Sequence, residues 1–139
     1  MYKKIGILAL ALALIAAGLS AASLILAAKP AEEKTADIQY VLYLGTNDKD
    51  TNEPVFTPEE AMRQAEAILI DFFGGYTIQE ANGGWIDNGT IYQEYSLVIY
   101  LSDTNLEEIH KAADRMIEVF NQSSVLIQAN RTTTEFYSG

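Results

Sequence analysis

Four oxygen-bearing side chains have the spacing of a calcium-binding loop. Asp48, Asp50, Asn52 and Glu59 occupy relative positions 1, 3, 5 and 12 of a twelve-residue stretch, and EF-hand loops take oxygen ligands from those positions. The sharp turn at position 6 requires Gly, whereas this chain has Glu53 there. A polar turn that leads into a helix N-cap explains the same residues. We therefore favour the turn and keep a calcium site as the alternative.

Residue types suited to catalysis are scarce in the chain. It contains one His, His110, and no Cys, which excludes disulfides, thiol catalysis and Cys-based metal sites. No Gly-rich phosphate loop, nucleophile elbow or Ser/His/Asp order is present. An acid–base pair of Tyr with Asp or Glu would form only by tertiary approach. We predict no catalytic residue and no cofactor, and favour a role other than an enzyme.

The chain begins with a segment that can cross a membrane. Residues 5–28 carry no charge and no Pro, and Lys3 and Lys4 precede them. A run of this length spans a bilayer as one helix, and the leading Lys residues favour a cytoplasmic N-terminus. We predict a signal anchor over residues 1–29, with the remainder outside the cytoplasm. A signal peptide cleaved at Ser20-Ala21-Ala22, giving a secreted protein, is the alternative.

The remainder is a short linker followed by one acidic domain. Residues 30–37 are polar and include Pro30, as is typical of a linker. Residues 38–139 hold 16 Asp and Glu against five Lys and Arg, a net charge of −11. Nucleic-acid binding requires a basic surface, so that class of partner is excluded. We attribute the charge to solubility, with cation binding as the alternative.

Hydrophobic periodicity predicts six elements. Residues 38–45 and 92–101 read as strands with apolar side chains on both faces, which is typical of central strands. Residues 76–81 form a shorter, more polar strand, and a last strand begins near residue 124.

Two amphipathic helices separate these strands. Thr57 caps a helix that runs from Pro58 to about Phe73, and Asp103 or Thr104 caps a second helix over residues 105–121. The order predicts a ferredoxin-like βαββαβ antiparallel sheet, an α+β fold with both helices on one face.

This fold leaves one sheet face without helices. That face receives either Val41, Tyr43, Val98 and Tyr100 or the alternate set of side chains. An exposed face rich in apolar residues and Tyr is typical of a contact surface. We favour a protein partner or a homodimer there. Coverage by the N-terminal segment or the long hairpin, and a ligand pocket, are the alternatives.

Trp85 is the only Trp, and it lies between two turn dipeptides, Asn82-Gly83 and Asn88-Gly89. Residues 82–89 are therefore predicted to connect two strands, either as a wide loop or as a hairpin with a bulge. Trp85 either folds back onto the sheet edge, as large rings commonly do, or projects outward as a binding anchor.

Two short segments carry a resemblance to a known family. They are Gly83-Gly84-Trp85 and the piece with Phe120, Gln122, Ser124 and Val125. Together with the strand and helix order over residues 40–127, they resemble the bacterial domain of unknown function 3574. The resemblance implies an exported bacterial protein and assigns no activity, but it indicates a shared structural or site role for Trp85 and Gln122.

The leading functional hypothesis is a membrane-anchored extracytoplasmic interaction domain. It would bind a protein partner or itself through the open sheet face, at Val41, Tyr43, Trp85, Val98 and Tyr100. The alternative is a small-ligand binder or enzyme of the dimeric α+β barrel type, in which two such sheets pack face to face.

Overall fold

The computed structural model describes residues 37–139, which belong to a compact unit, Ala36–Gly139. The predicted signal anchor over residues 1–29, its alternative cleavage and nearly all of the linker over residues 30–37 lie outside the described residues. No helix within residues 37–139 is long and apolar enough to cross a membrane.

The six predicted elements are all present. They are β1 (Asp37–Gly45), α1 (Pro58–Phe72), β2 (Thr77–Asp87), β3 (Thr90–Leu101), α2 (Leu106–Val119) and β4 (Leu126–Thr132). The four strands form one antiparallel sheet in the order β2-β3-β1-β4. The two strands with apolar residues on both faces, β1 and β3, are central, as predicted. This element and strand order is that of the ferredoxin-like arrangement.

Both helices begin at a polar cap. The Thr57 hydroxyl accepts a hydrogen bond from the Glu60 backbone N–H at 3.3 Å, and Pro58 occupies the first helical position, as the sequence predicts. The cap of α2 is Asn105, whose side chain accepts from the Glu108 backbone N–H at 3.1 Å. The prediction of Asp103 or Thr104 was therefore wrong: Asn105 satisfies the free N–H groups at the helix start.

The sheet has one face packed against both helices. Side chains at alternate positions of β1 and β3 enter one buried cluster with residues of α1 and α2. The strand members of that cluster are Tyr40, Leu42, Leu44, Leu97, Ile99 and Leu101. Because successive side chains of a strand point to opposite faces, Val41, Tyr43, Val98 and Tyr100 lie on the other face. We call the latter the open face.

The β2–β3 hairpin is longer than the sequence predicts. Strand β2 continues to Asp87, and the connection is the two-residue turn Asn88-Gly89, with φ of 47° and 80°. Both values lie in the left-handed region that such tight hairpin turns require. The predicted loop over residues 82–89 is therefore wrong. Trp85 lies within a strand, paired with Tyr92.

Candidate functional site: a cleft at one end of the open face

A cleft of ≈ 480 Å³ lies where the open face meets two loops. Its walls come from the end of β1, the loop after β1, the tip of the β2–β3 hairpin and the α2–β4 connection. Tyr43, Trp85 and Tyr92 supply its aromatic surface, and Asp87 and Glu94 supply carboxylates. The cleft therefore joins large flat rings to fixed polar groups, a combination found in binding sites.

The aromatic surface is built on a cross-strand pair. Trp85 and Tyr92 lie opposite each other on β2 and β3, and their rings stack with centroids 5.1 Å apart and planes 17° apart. Trp85 remains 41% exposed. The ring is thus held by its neighbour while much of its surface faces solvent. Of the alternatives that the sequence left open, the structure shows Trp85 packed against Tyr92 on the open face and still accessible.

Two Tyr side chains of the open face are tethered at their tips. The Tyr43 hydroxyl donates to Gln128 Oε1 at 3.3 Å, and the Tyr100 hydroxyl donates to Gln79 Oε1 at 2.9 Å. Each central strand thus ties its Tyr to the edge strand beside it. Such tethers reduce the rotamer freedom that a contact surface loses on binding.

Glu94 is fixed against the end of β1. Its Oε2 atom accepts hydrogen bonds from the backbone N–H groups of Thr46 at 3.1 Å and Asn47 at 3.0 Å. The carboxylate lies over Gly45, where an added Cβ would be 2.5 Å from Glu94 Oε1. Absence of a side chain at Gly45 therefore creates the space that places this carboxylate in the cleft.

The turn after α2 closes the third side of the cleft. Asn121 has a positive φ of 44°, and the Gln122 backbone N–H donates to the Ile117 carbonyl at 3.0 Å, a Schellman-type helix end. This turn directs the Gln122 side-chain amide to the Asn47 carbonyl. The Lys49 backbone N–H in turn donates to the Asn121 carbonyl at 3.0 Å. Helix α2 thereby holds the loop after β1 in place.

Asp48 organises the same loop. Its Oδ1 atom accepts from the backbone N–H groups of Asp50 at 2.8 Å and Thr51 at 3.1 Å, and its Oδ2 atom accepts from the Asn121 side-chain amide at 2.9 Å. The Asn121 amide and then the Asp50 N–H hold the pKa of the Asp48 carboxyl below its ordinary value of 3.8, because both bonds favour the charged form.

These hydrogen bonds give Asp48, the first residue of the spacing that suggested calcium, a structural role in the loop. Asp48, Asp50 and Asn52 lie in the loop after β1, whereas Glu59 lies in the first turn of α1. Within residues 37–139 there is no group of three or more His, Cys, Asp or Glu side chains placed to hold a metal ion. The calcium site stays a prediction.

The predicted open-face residues divide between the cleft and its surroundings. Tyr43 and Trp85 line the cleft. Val41 lies on the same face but is buried at 4% exposure. Val98 pairs with Tyr43 across the sheet, and Tyr100 borders a second cleft of ≈ 550 Å³ at the opposite end of the sheet.

Sequence reasoning missed Tyr92, Glu94 and Gln122 as neighbours of Trp85 in one cleft. The signal for Tyr92 was the two-residue turn Asn88-Gly89, because extending the hairpin outward from that turn pairs position 85 with position 92. Glu94 follows on the same face two residues later. Placing Gln122 there requires the tertiary contact with the loop after β1, which has no local signal.

Architecture and cleft together define a small α+β domain with an open antiparallel sheet. The chain belongs to the family described as "Protein of unknown function (DUF3574)", whose model matches residues 39–136. Both segments that carried the resemblance contribute to the cleft, through Trp85 and Gln122. No curated protein matches the chain at a significant level.

Solved structures of low sequence identity are similar to this domain. A phage SAM lyase in complex with S-methyl-5'-thioadenosine is 17% identical, with a TM-score of 0.51 over 73% of this chain and 86% of that chain. CutA from Synechococcus elongatus is 15% identical, with a TM-score of 0.46 over 70% of this chain and 78% of that chain. At such low identity, the likeness to the lyase shows the fold alone.

Substituting Gly45 tests how Glu94 is placed. Gly45→Ala should lower the free energy of unfolding of residues 36–139 by about 1–3 kcal/mol, because the added Cβ overlaps the carboxylate and forces it off its two backbone donors. Urea denaturation measures the change. Gly74→Ala is the matched control, since a Cβ there meets nothing within 4 Å. Equal stability losses for the two variants would contradict the placement.

Acid should weaken the Asp48 contacts. Because the folded-state pKa of Asp48 is lowered from 3.8, its stabilising effect is present above that value and is lost as pH falls through the folded-state pKa. Melting temperatures measured from about pH 5 down to about pH 3 should therefore fall less steeply for Asp48→Asn than for the native chain. Asp114→Asn on α2 is the control. Parallel curves for the native chain and Asp48→Asn would contradict this account.

Proposed function

We propose that this protein is a membrane-anchored extracytoplasmic interaction domain that binds a protein partner or a second copy of itself through the open face. One observation carries the proposal: large aromatic and apolar side chains remain accessible on the sheet face that neither α1 nor α2 covers. Tyr43 is 39% exposed, Trp85 is 41% exposed and Leu126 is 59% exposed. All three line the same cleft.

The chemistry of these side chains favours protein contacts. Trp and Tyr are enriched among the residues that contribute most to interface affinity, since they bury large rigid areas at a small cost in rotamer entropy. Stacking on Tyr92 restrains Trp85, and the bond to Gln128 restrains Tyr43. A surface restrained before binding loses less entropy when a partner arrives.

The anchoring part of the proposal rests on the N-terminal sequence. Residues 5–28 are uncharged and apolar, with Lys3 and Lys4 before them, a pattern that favours a single span with the C-terminal domain outside the cytoplasm. Such an anchor would hold the acidic domain close to a membrane surface. Cleavage of the segment would instead release the same domain as a secreted protein.

A second candidate function follows from the size of the cleft. Its volume of ≈ 480 Å³ falls within the range of small-ligand sites. Two copies packed through their open faces would enclose such a cleft, as in small-ligand binders or enzymes of the dimeric α+β barrel type. Residues 37–139 offer Asp87, Glu94 and Tyr92 as the polar groups of that cleft, but no acid–base pair among them is in hydrogen-bond contact.

Site-specific photo-cross-linking tests the interaction surface. The full chain, expressed in bacteria with benzoylphenylalanine in place of Tyr43, should form covalent adducts with another protein or with a second copy, detected as higher-mass bands. The matched control carries the same group at Ile70, which is 63% exposed on α1 and thus on the helix layer. Equal adduct yields at the two positions, or none at position 43, would contradict the proposal.

A further inference from the structure

The charges of the domain are distributed unevenly between its two sides. Among the strand residues that alternate onto the open face, Asp37, Asp87 and Glu94 are acidic and none is Lys or Arg. On the helices, Arg63, Lys111 and Arg115 each form an ion pair with a carboxylate of their own helix. The helices still carry more carboxylates than cations, but the strand residues on the open face include carboxylates and no cation at all.

The cleft concentrates this negative charge beside its aromatic surface. Asp48, Asp87 and Glu94 line it, and Lys49 is the single cation among its lining residues. Asp48 already accepts three hydrogen bonds, two from backbone N–H groups of its own loop and one from the Asn121 side-chain amide. The carboxylates left to meet a partner are Asp87 and one oxygen of Glu94.

One oxygen of the Glu94 carboxylate is positioned to accept a hydrogen bond from a charged donor. Its Oε2 atom is held by two backbone N–H groups, and no donor within residues 37–139 is bound to its Oε1 atom. The carboxylate is thus oriented before any partner binds. On β3, Tyr92 lies two residues away on the same face, and its ring is stacked on Trp85.

A guanidinium group matches this arrangement. Arg stacks its planar group on aromatic rings and donates to carboxylates in a fixed fork, whereas a Lys ammonium acts as a compact point charge. Trp is the best aromatic partner for such a cation. Oppositely charged surfaces also accelerate association and exclude partners of like charge.

We propose that the cleft binds an Arg-bearing basic segment of a partner protein, with one guanidinium against the Trp85–Tyr92 stack and the Glu94 carboxylate and a second basic side chain near Asp87. This inference rests on the proposed function and names the partner's chemistry. A second copy is disfavoured as the occupant, because two faces of the same negative charge would repel one another.

Fluorescein-labelled octa-arginine is the probe, and fluorescence anisotropy measures its affinity for the full chain kept in solution by a nonionic detergent. Asp87→Asn and Glu94→Gln should each weaken binding by about three- to tenfold. Both variants retain a polar oxygen, and Asp87 is exposed at the hairpin tip, so its change leaves the core intact. Asp114→Asn on α2, which removes the same charge elsewhere, should change the affinity by less than about twofold.

Two further comparisons separate a specific cleft from general attraction to an acidic protein. Lys49→Gln should tighten binding by about two- to fivefold, whereas Lys111→Gln on α2 should leave it nearly unchanged. Trp85→Leu should weaken binding of octa-arginine by about tenfold and that of octa-lysine by less, because the guanidinium gains more from ring stacking.

Equal effects of the cleft variants and their α2 controls would overturn the inference, since the attraction would then be nonspecific. A dimer seen by light scattering that Tyr43→Ser/Tyr100→Ser dissociates, with no binding of octa-arginine, would also overturn it while supporting the proposed function. If the native chain binds no octa-arginine and position 43 forms no adducts, both this inference and the proposed function are overturned.

Discussion

Two helices are too few to cover both faces of a four-stranded sheet, and this constraint shapes the rest of the domain. The central strands β1 and β3 carry apolar or aromatic side chains on both sides, yet α1 and α2 pack against only one. That side supplies the buried core. On the other side Val41 is buried, while Tyr43 on the same strand and Trp85 at the hairpin tip stay accessible, so the fold itself produces an aromatic surface.

The cleft depends on how the loop after β1 and the turn after α2 are held at the end of that surface. Glu94 accepts the first backbone donors after β1, and the left-handed turn at Asn121 brings the end of α2 against the same loop. Phe120 anchors this turn in the core by packing edge-on against Phe56 at 5.4 Å. The residues that carried the sequence resemblance thus meet at the cleft: Phe120 and Gln122 hold the loop after β1, and Trp85 forms the aromatic wall.

Much of the fold was predictable from the sequence, because its elements are encoded locally. Two-sided apolar strands, helical stripes and the Thr57 cap all predicted the observed order and the central strands. The wrong loop over residues 82–89 arose because Asn82-Gly83 has the residue types of a turn dipeptide, as does the true turn, Asn88-Gly89. In the structure Gly83 lies within β2, where Gly avoids a steric clash: a Cβ there would be 2.5 Å from Ser96 Oγ on the neighbouring strand. The cleft was predictable only in part, since Glu94 and Gln122 reach it through tertiary contacts.

An exposed aromatic ring thus lies in a negatively charged cleft at the end of the open face. Because Trp85 is the only Trp, quenching of its fluorescence by caesium and by iodide tests this claim directly. Relative to free N-acetyltryptophanamide, caesium should quench Trp85 more effectively than iodide, since the carboxylates attract the cation and repel the anion. Stronger quenching by iodide, or protection from both ions, would contradict the account.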